Sequence, residues 1–114
     1  MIKRKADMRN EIRNKMRDGN GDVSLIHYLE QEETAGKSRF CAQLSIPVGA
    51  SIGNHSHGPD AEIFIILNGT ALFDDNGTTY TLNPGDIAFT SNGENHSISN
   101  AGDTMLDLVG IIFE

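Results

Sequence analysis

From Val23 onward, apolar residues recur at every second position, and that alternation confines the chain to extended strands. Val23, Leu25, His27 and Leu29 fall on one face of a strand. Phe40, Ala42, Leu44 and Ile46 fall on one face of the next, with Cys41, Gln43 and Ser45 opposite. Pro47 and Gly49 end that run. Short strands are then predicted near His55–His57, Glu62–Leu67, Thr70–Phe73, Thr78–Leu82, Ile87–Phe89, His96–Ser99 and Thr104–Phe113. Asn68-Gly69 and Asn76-Gly77 are strong hairpin signals, and Pro84-Gly85 marks a further turn. So many short strands at a steady spacing predict an all-β sandwich or closed barrel.

The N-terminal stretch reads differently. Met8, Ile12 and Met16 are spaced by four among charged residues, which predicts an amphipathic helix over Asp7–Arg17, ended by Gly19, Asn20 and Gly21. A chain of 114 residues suits one core, so residues 1–21 are read as a helical extension and 22–114 as the barrel domain. Charge is divided along the same line. Residues 1–17 hold seven basic side chains against two acids, +5, and the remainder holds two against fourteen, −12. A basic tip can touch nucleic acid, but no aromatic interleaving or recognition motif accompanies it. It is read as a solvated helix docked on its own acidic barrel, with neither nucleic acid nor membrane as partner. Apolar runs such as Ile63–Leu67 are too short to span a bilayer, and no apolar stretch follows the basic N-terminus as in a secretory signal. The single cysteine, Cys41, allows no internal disulfide and reads as an inert small hydrophobe. The location expected is cytoplasmic.

Three of the four histidines lie within or beside the strand array. His55 and His57 are two apart, so a strand would place both imidazoles on one face, close enough to share an ion. Glu62 follows after a short loop, and His96 lies on a later strand that could bring a further ligand across a barrel. Imidazole nitrogen with carboxylate oxygen suits first-row divalent ions, with Mn, Fe, Ni, Zn and Co all compatible. His27 lies outside this group and reads as a surface or interface residue.

These residues resemble a known family. Gly49, five residues, His55-Ser56-His57, four residues, Glu62, six residues, Gly69 has the spacing of the first cupin motif. Gly85, five residues, Ser91, one residue, Gly93, two residues, His96, three residues, Asn100 has that of the second, with Ser91 in place of a proline. Fifteen residues separate the two, as in small single-domain cupins. The resemblance implies a conical antiparallel β-barrel (a jelly roll) with His55, His57, Glu62 and His96 pointing inward around one divalent metal ion. It also implies coordination positions left for water or a small-molecule ligand. Phe64 and Ile66 share the parity of Glu62 and should line the same cavity, with Phe40, Leu44 and Ile98 joining them. Gln43 would add a polar contact if its face turned inward.

Fold does not fix function here. One reading is a small metalloenzyme, an isomerase, epimerase or dioxygenase, acting on a small oxygenated or sugar-like molecule. The other is a non-catalytic binding or sensing module. A catalyst needs a general base beyond the metal ligands, and only Asp60 and Glu94 flank them. A homodimer is expected, because Ile63, Ile65 and Leu67 oppose Phe64 and Ile66 on one strand and both faces need cover.

Overall fold

Burial along Phe40–Ile46 alternates residue by residue, with Phe40, Ala42, Leu44 and Ile46 buried and the three between them half-buried. The sequence alternation is thus realised as a strand in a computed structural model that describes residues 1–114. Ten strands form: β1 (Arg9–Asn14), β2 (Asp22–His27), β3 (Phe40–Ile46), β4 (Ser51–Ser56), β5 (Ala61–Asn68), β6 (Ala71–Asp75), β7 (Thr78–Leu82), β8 (Ile87–Thr90), β9 (Asn95–Asn100) and β10 (Leu106–Phe113). They pair antiparallel in a six-stranded sheet ordered β1-β2-β3-β10-β5-β8 and a four-stranded sheet ordered β4-β9-β6-β7. A single cluster of 16 buried apolar residues joins the two sheets. Leu25, Leu44, Ile66 and Leu108 come from the larger sheet, and Ile52, Phe73 and Ile98 from the smaller. No helix is long and apolar enough to cross a membrane.

The turn chemistry divides into two outcomes. Asn76 and Gly77 both adopt positive φ, 53° and 95°, and close the β6–β7 hairpin as a two-residue turn, where the left-handed region suits Asn and Gly. Asn68-Gly69, predicted to form the same kind of hairpin, does not. It carries the chain from β5 in one sheet to β6 in the other. Gly69, at φ 87°, passes so close to the next layer that a Cβ there would lie 2.7 Å from the Met105 carbonyl oxygen. The glycine serves a corner between sheets rather than a hairpin.

The expected N-terminal helix is also absent. Residues Lys5–Asp7 and Met16–Asp18 form single 3-10 turns, and Arg9–Asn14 between them is β1, paired residue for residue with β2 from Arg9↔His27 to Asn14↔Asp22. A spacing of four is a multiple of two, so Met8, Ile12 and Met16 fit a strand face as well as a helix stripe. The free edge of β2 offers backbone partners that an isolated short helix lacks. The strand's inward-leaning face is the other one, carrying Glu11 and Arg13, while Ile12 is exposed.

His27 is not a surface residue. It is buried on the parity of Val23 and Leu25, lies edge-on to Phe40, and its Nε2–H donates to Glu11 Oε1 at 2.8 Å. Gln43 faces outward, where its Oε1 accepts the Tyr28 hydroxyl at 2.9 Å. Cys41 is half-buried with no disulfide, and burial pushes its thiol pKa up, in keeping with an unreactive side chain.

Candidate metal centre

Each of the four predicted ligands is placed by a different piece of backbone. The β4–β9 pairing sets His55 directly opposite His96. His57 lies just past β4, and its backbone is held by the turn at Ser91–Glu94: His57 N–H donates to Glu94 O at 3.0 Å, and Gly93 N–H donates to His57 O at 2.8 Å. That turn is stabilised by Glu94, whose carboxylate accepts from both the Ser91 amide and hydroxyl at 2.8 Å. The serine standing where the motif has proline is therefore locked by a side chain instead. Those bonds, the Ser91 backbone bond first, hold the Glu94 carboxyl below its ordinary pKa. Glu62 is the first buried residue of β5, opposite Thr90 of β8.

The four side chains converge. One donor atom from each lies within 4.8 Å of every other, with His57, Glu62 and His96 buried and His55 half-buried. His96 Nε2 is 3.0 Å from His55 Nε2 and 3.1 Å from His57 Nε2, and Glu62 Oε1 is 3.2 Å from the Nε2 atoms of both His57 and His96. These separations match the edges between neighbouring ligands of a six-coordinate ion with bonds of about 2.1–2.2 Å.

Every imidazole is also held from behind. His55 Nδ1 faces the Gly53 carbonyl at 2.9 Å, His57 Nδ1 faces Asp60 Oδ1 at 3.1 Å, and His96 Nδ1 faces Thr90 Oγ1 at 2.8 Å. The Gly53 carbonyl and the ionised Asp60 carboxylate only accept, which favours the His55 and His57 tautomers that leave Nε2 free as a ligand, and the Thr90 hydroxyl is able to accept the same bond from His96. Phe64 stacks on His96 at 5.1 Å and Phe73 meets it edge-on at 5.6 Å, so the ring cannot swing away. Desolvation, chiefly, lowers the His55 pKa and favours its neutral, ligating form. Three imidazole nitrogens and a carboxyl oxygen form a donor set that fits a first-row divalent cation.

Asp60, seen in the sequence only as a neighbour of the predicted ligands, is buried between His57 Nδ1 and the Arg39 guanidinium. Burial alone would raise its pKa, but the Arg39 guanidinium and His57 outweigh it and hold the carboxyl ionised. Its placement three residues after His57 was the one available signal. The sequence reading missed Arg13, Arg17 and Arg39 altogether. All three line the pocket above the ligands, together with Met16, Phe40, Leu44, Ile52, Phe64 and Ile112. The predicted wall residues Phe40, Leu44 and Phe64 are in it, whereas Ile66 and Ile98 are in the core. The pocket encloses about 190 Å³, small beside the several hundred of a drug-sized site.

The fold and this site define a small single-barrel protein in which three histidines and one glutamate point inward as a cluster able to hold a metal ion. The chain belongs to the Cupin_2 (cupin domain) family, whose model matches residues 42–112. It is 38% identical over 112 residues to a Thermotoga maritima protein named oxalate-binding protein, covering 98% of this chain and 93% of that one. A crystal structure from Thermotoga maritima, described as a predicted oxalate decarboxylase, is 38% identical and superposes with a TM-score of 0.94 over 99% of this chain and 98% of that one. A cupin-superfamily sugar phosphate isomerase from Silicibacter pomeroyi shares the fold at 16% identity, with a TM-score of 0.76 over 96% of this chain and 73% of that one.

Proposed function

We propose that this protein binds one divalent first-row transition metal ion through His55, His57, Glu62 and His96 and holds a small carboxylate on it. The observation that supports this most directly is the cluster of three imidazole nitrogens and one carboxylate oxygen, all within 4.8 Å of one another with four of the six pairs at 3.0–3.2 Å, under an arginine-lined pocket. Arginine side chains favour a carboxylate over a neutral sugar. A volume of about 190 Å³ suits a ligand of roughly six to eight heavy atoms, since a cavity of about 150 Å³ holds a benzene ring. Oxalate, the ligand in the name of the Thermotoga maritima relative, has both properties.

Binding rather than turnover is the role we favour. Apart from the ligands themselves, the only ionisable side chains lining the pocket are arginines, which do not act as proton shuttles near neutral pH. Asp60 and Glu94, the two candidate bases, are committed to Arg39 and His57 and to the Ser91 turn. A cytoplasmic location belongs to the same reading, supported by the unpaired Cys41.

We also propose a homodimer. The outer face of the six-stranded sheet carries two rows across neighbouring strands: Ile26, Gln43, Val109, Ile65 and Ile87, then Cys41, Ile111, Ile63 and Phe89. Ile87 and Phe89 are 59% and 57% exposed. A face this largely apolar, interrupted only by Gln43, calls for cover, and a two-fold copy of itself is the commonest solution.

Elemental analysis of the purified protein, followed by calorimetric titration of the metal-loaded form with oxalate, tests the main reading. Near-stoichiometric metal, lost in His57→Ala and His96→Ala with the β-rich far-UV spectrum retained, is expected. Full metal occupancy in both variants, or no oxalate heat from loaded protein, would overturn it.

A further inference from the structure

The turn Met16–Asp18, with Lys15 before it, has a backbone the sequence does not favour. Lys15, Arg17 and Asp18 all adopt left-handed φ, at 51°, 54° and 63°, and none is glycine. Strain of this kind persists only where the surroundings impose it, and it concentrates at functional sites. Here the surroundings are explicit. A Cβ on Gly53 would lie 2.0 Å from the Arg17 carbonyl oxygen, and one on Gly19 would lie 2.3 Å from the Ser51 carbonyl oxygen. Two glycines facing each other thus let the turn rest directly on β4, two residues from His55. Hydrogen bonds pin it there: Lys15 N–H to Gly21 O at 2.9 Å, Gly19 N–H to Met16 O at 3.0 Å, and Ser51 N–H to Asn20 O at 2.9 Å.

This strap delivers Arg17 to the pocket wall beside His55. The three pocket arginines differ in one respect. Arg13 is paired with Glu11 at 3.0 Å and lies over the Phe40 ring, and Arg39 is paired with Asp60 and Glu114. Arg17 has neither an ion pair nor a side-chain hydrogen bond. In a chain of net charge −7, an exposed, unpaired guanidinium on the pocket wall, close enough for its charge to act on His55, is placed for an incoming anion.

We propose that Arg17 is a specificity residue: it takes the carboxylate oxygens of a short dicarboxylate that face away from the metal, so the pocket prefers dianions to monocarboxylates. This rests on the reading of the site as a metal-anchored carboxylate site. A monocarboxylate spends its only charge on the ion. A two- or three-carbon dianion meets the ion and Arg17 together within the small pocket.

The test uses metal-loaded full-length protein, Arg17→Gly and Arg17→Lys, titrated calorimetrically with oxalate and with acetate at neutral pH. Glycine accepts the left-handed turn, so its effect cannot be charged to a strained replacement. Arg17→Gly is expected to keep metal stoichiometry and melting temperature, to lose at least tenfold in oxalate affinity, and to change acetate affinity less than twofold. Arg17→Lys should recover part of the loss. Equal oxalate affinity in Arg17→Gly, or equal losses for both anions, would overturn the role of Arg17 while leaving metal-anchored carboxylate binding intact. Wild-type protein that loads metal but binds neither anion would overturn both.

Discussion

Gly53→Ala adds one methyl group where the strap crosses β4, and the structure says what it meets. The new Cβ would lie 2.0 Å from the Arg17 carbonyl oxygen, 2.9 Å from the Gly19 amide nitrogen and 3.0 Å from the Arg17 carbonyl carbon. All three are backbone atoms, so no side chain can rotate away. To reach even 3.0 Å from that oxygen, strap and strand must part by about 1 Å. The strap resists, being tied by the Lys15–Gly21, Met16–Gly19 and Asn20–Ser51 hydrogen bonds. Overpacking of this kind costs about 2 kcal/mol, a fall in Tm of about 8 °C for a domain of this size. The Gly53 carbonyl also orients His55 through Nδ1. Displacing a partner behind a metal ligand lowers affinity by about 10–100-fold. Gly58→Ala is the control, since a Cβ there meets nothing within 4 Å and the site needs no positive φ. Thermal melts with and without chelator, and metal titration of all three proteins, give the readout. A Gly53→Ala protein that melts within 1 °C of wild type and binds metal within twofold would refute the argument.

Two further outcomes are expected. Hydrogen bonds from Arg13, then His27, hold the Glu11 carboxyl at about 2 instead of its ordinary 4.5. A depressed folded-state pKa contributes stability above 4.5 that is lost as pH falls toward 2, so the Tm advantage of wild type over Glu11→Gln should shrink across that window. A constant difference from pH 5 to 2 would contradict it. Light scattering at micromolar concentration should give the mass of two chains for wild type and one for Ile63→Asp, which puts a charge in the middle of the apolar sheet face; a single-chain mass for wild type would count against the dimer.

The convergence of His55, His57, Glu62 and His96 was legible in the sequence because it follows from parity and register. Two residues along a strand return to the same face, which put His55 beside His57, and Glu62 on the side of Phe64 and Ile66. The core faces of β2 and β3 were legible for the same reason, and so was the β6–β7 turn, because φ > 0 at Asn76 and Gly77 is a local demand. Partner choice was not. Asn68-Gly69 has the same letters as Asn76-Gly77 but ends at a sheet boundary, since β5 is already flanked by β10 and β8. Met8, Ile12 and Met16 satisfy helix and strand alike, and only the unfilled edge of β2 decided for a strand. Arg17 reaches His55 across 38 positions of sequence through a contact that two glycines make possible. Periodicity reports which side of its own strand a residue faces. What stands opposite is set by long-range backbone packing, which no local spacing encodes.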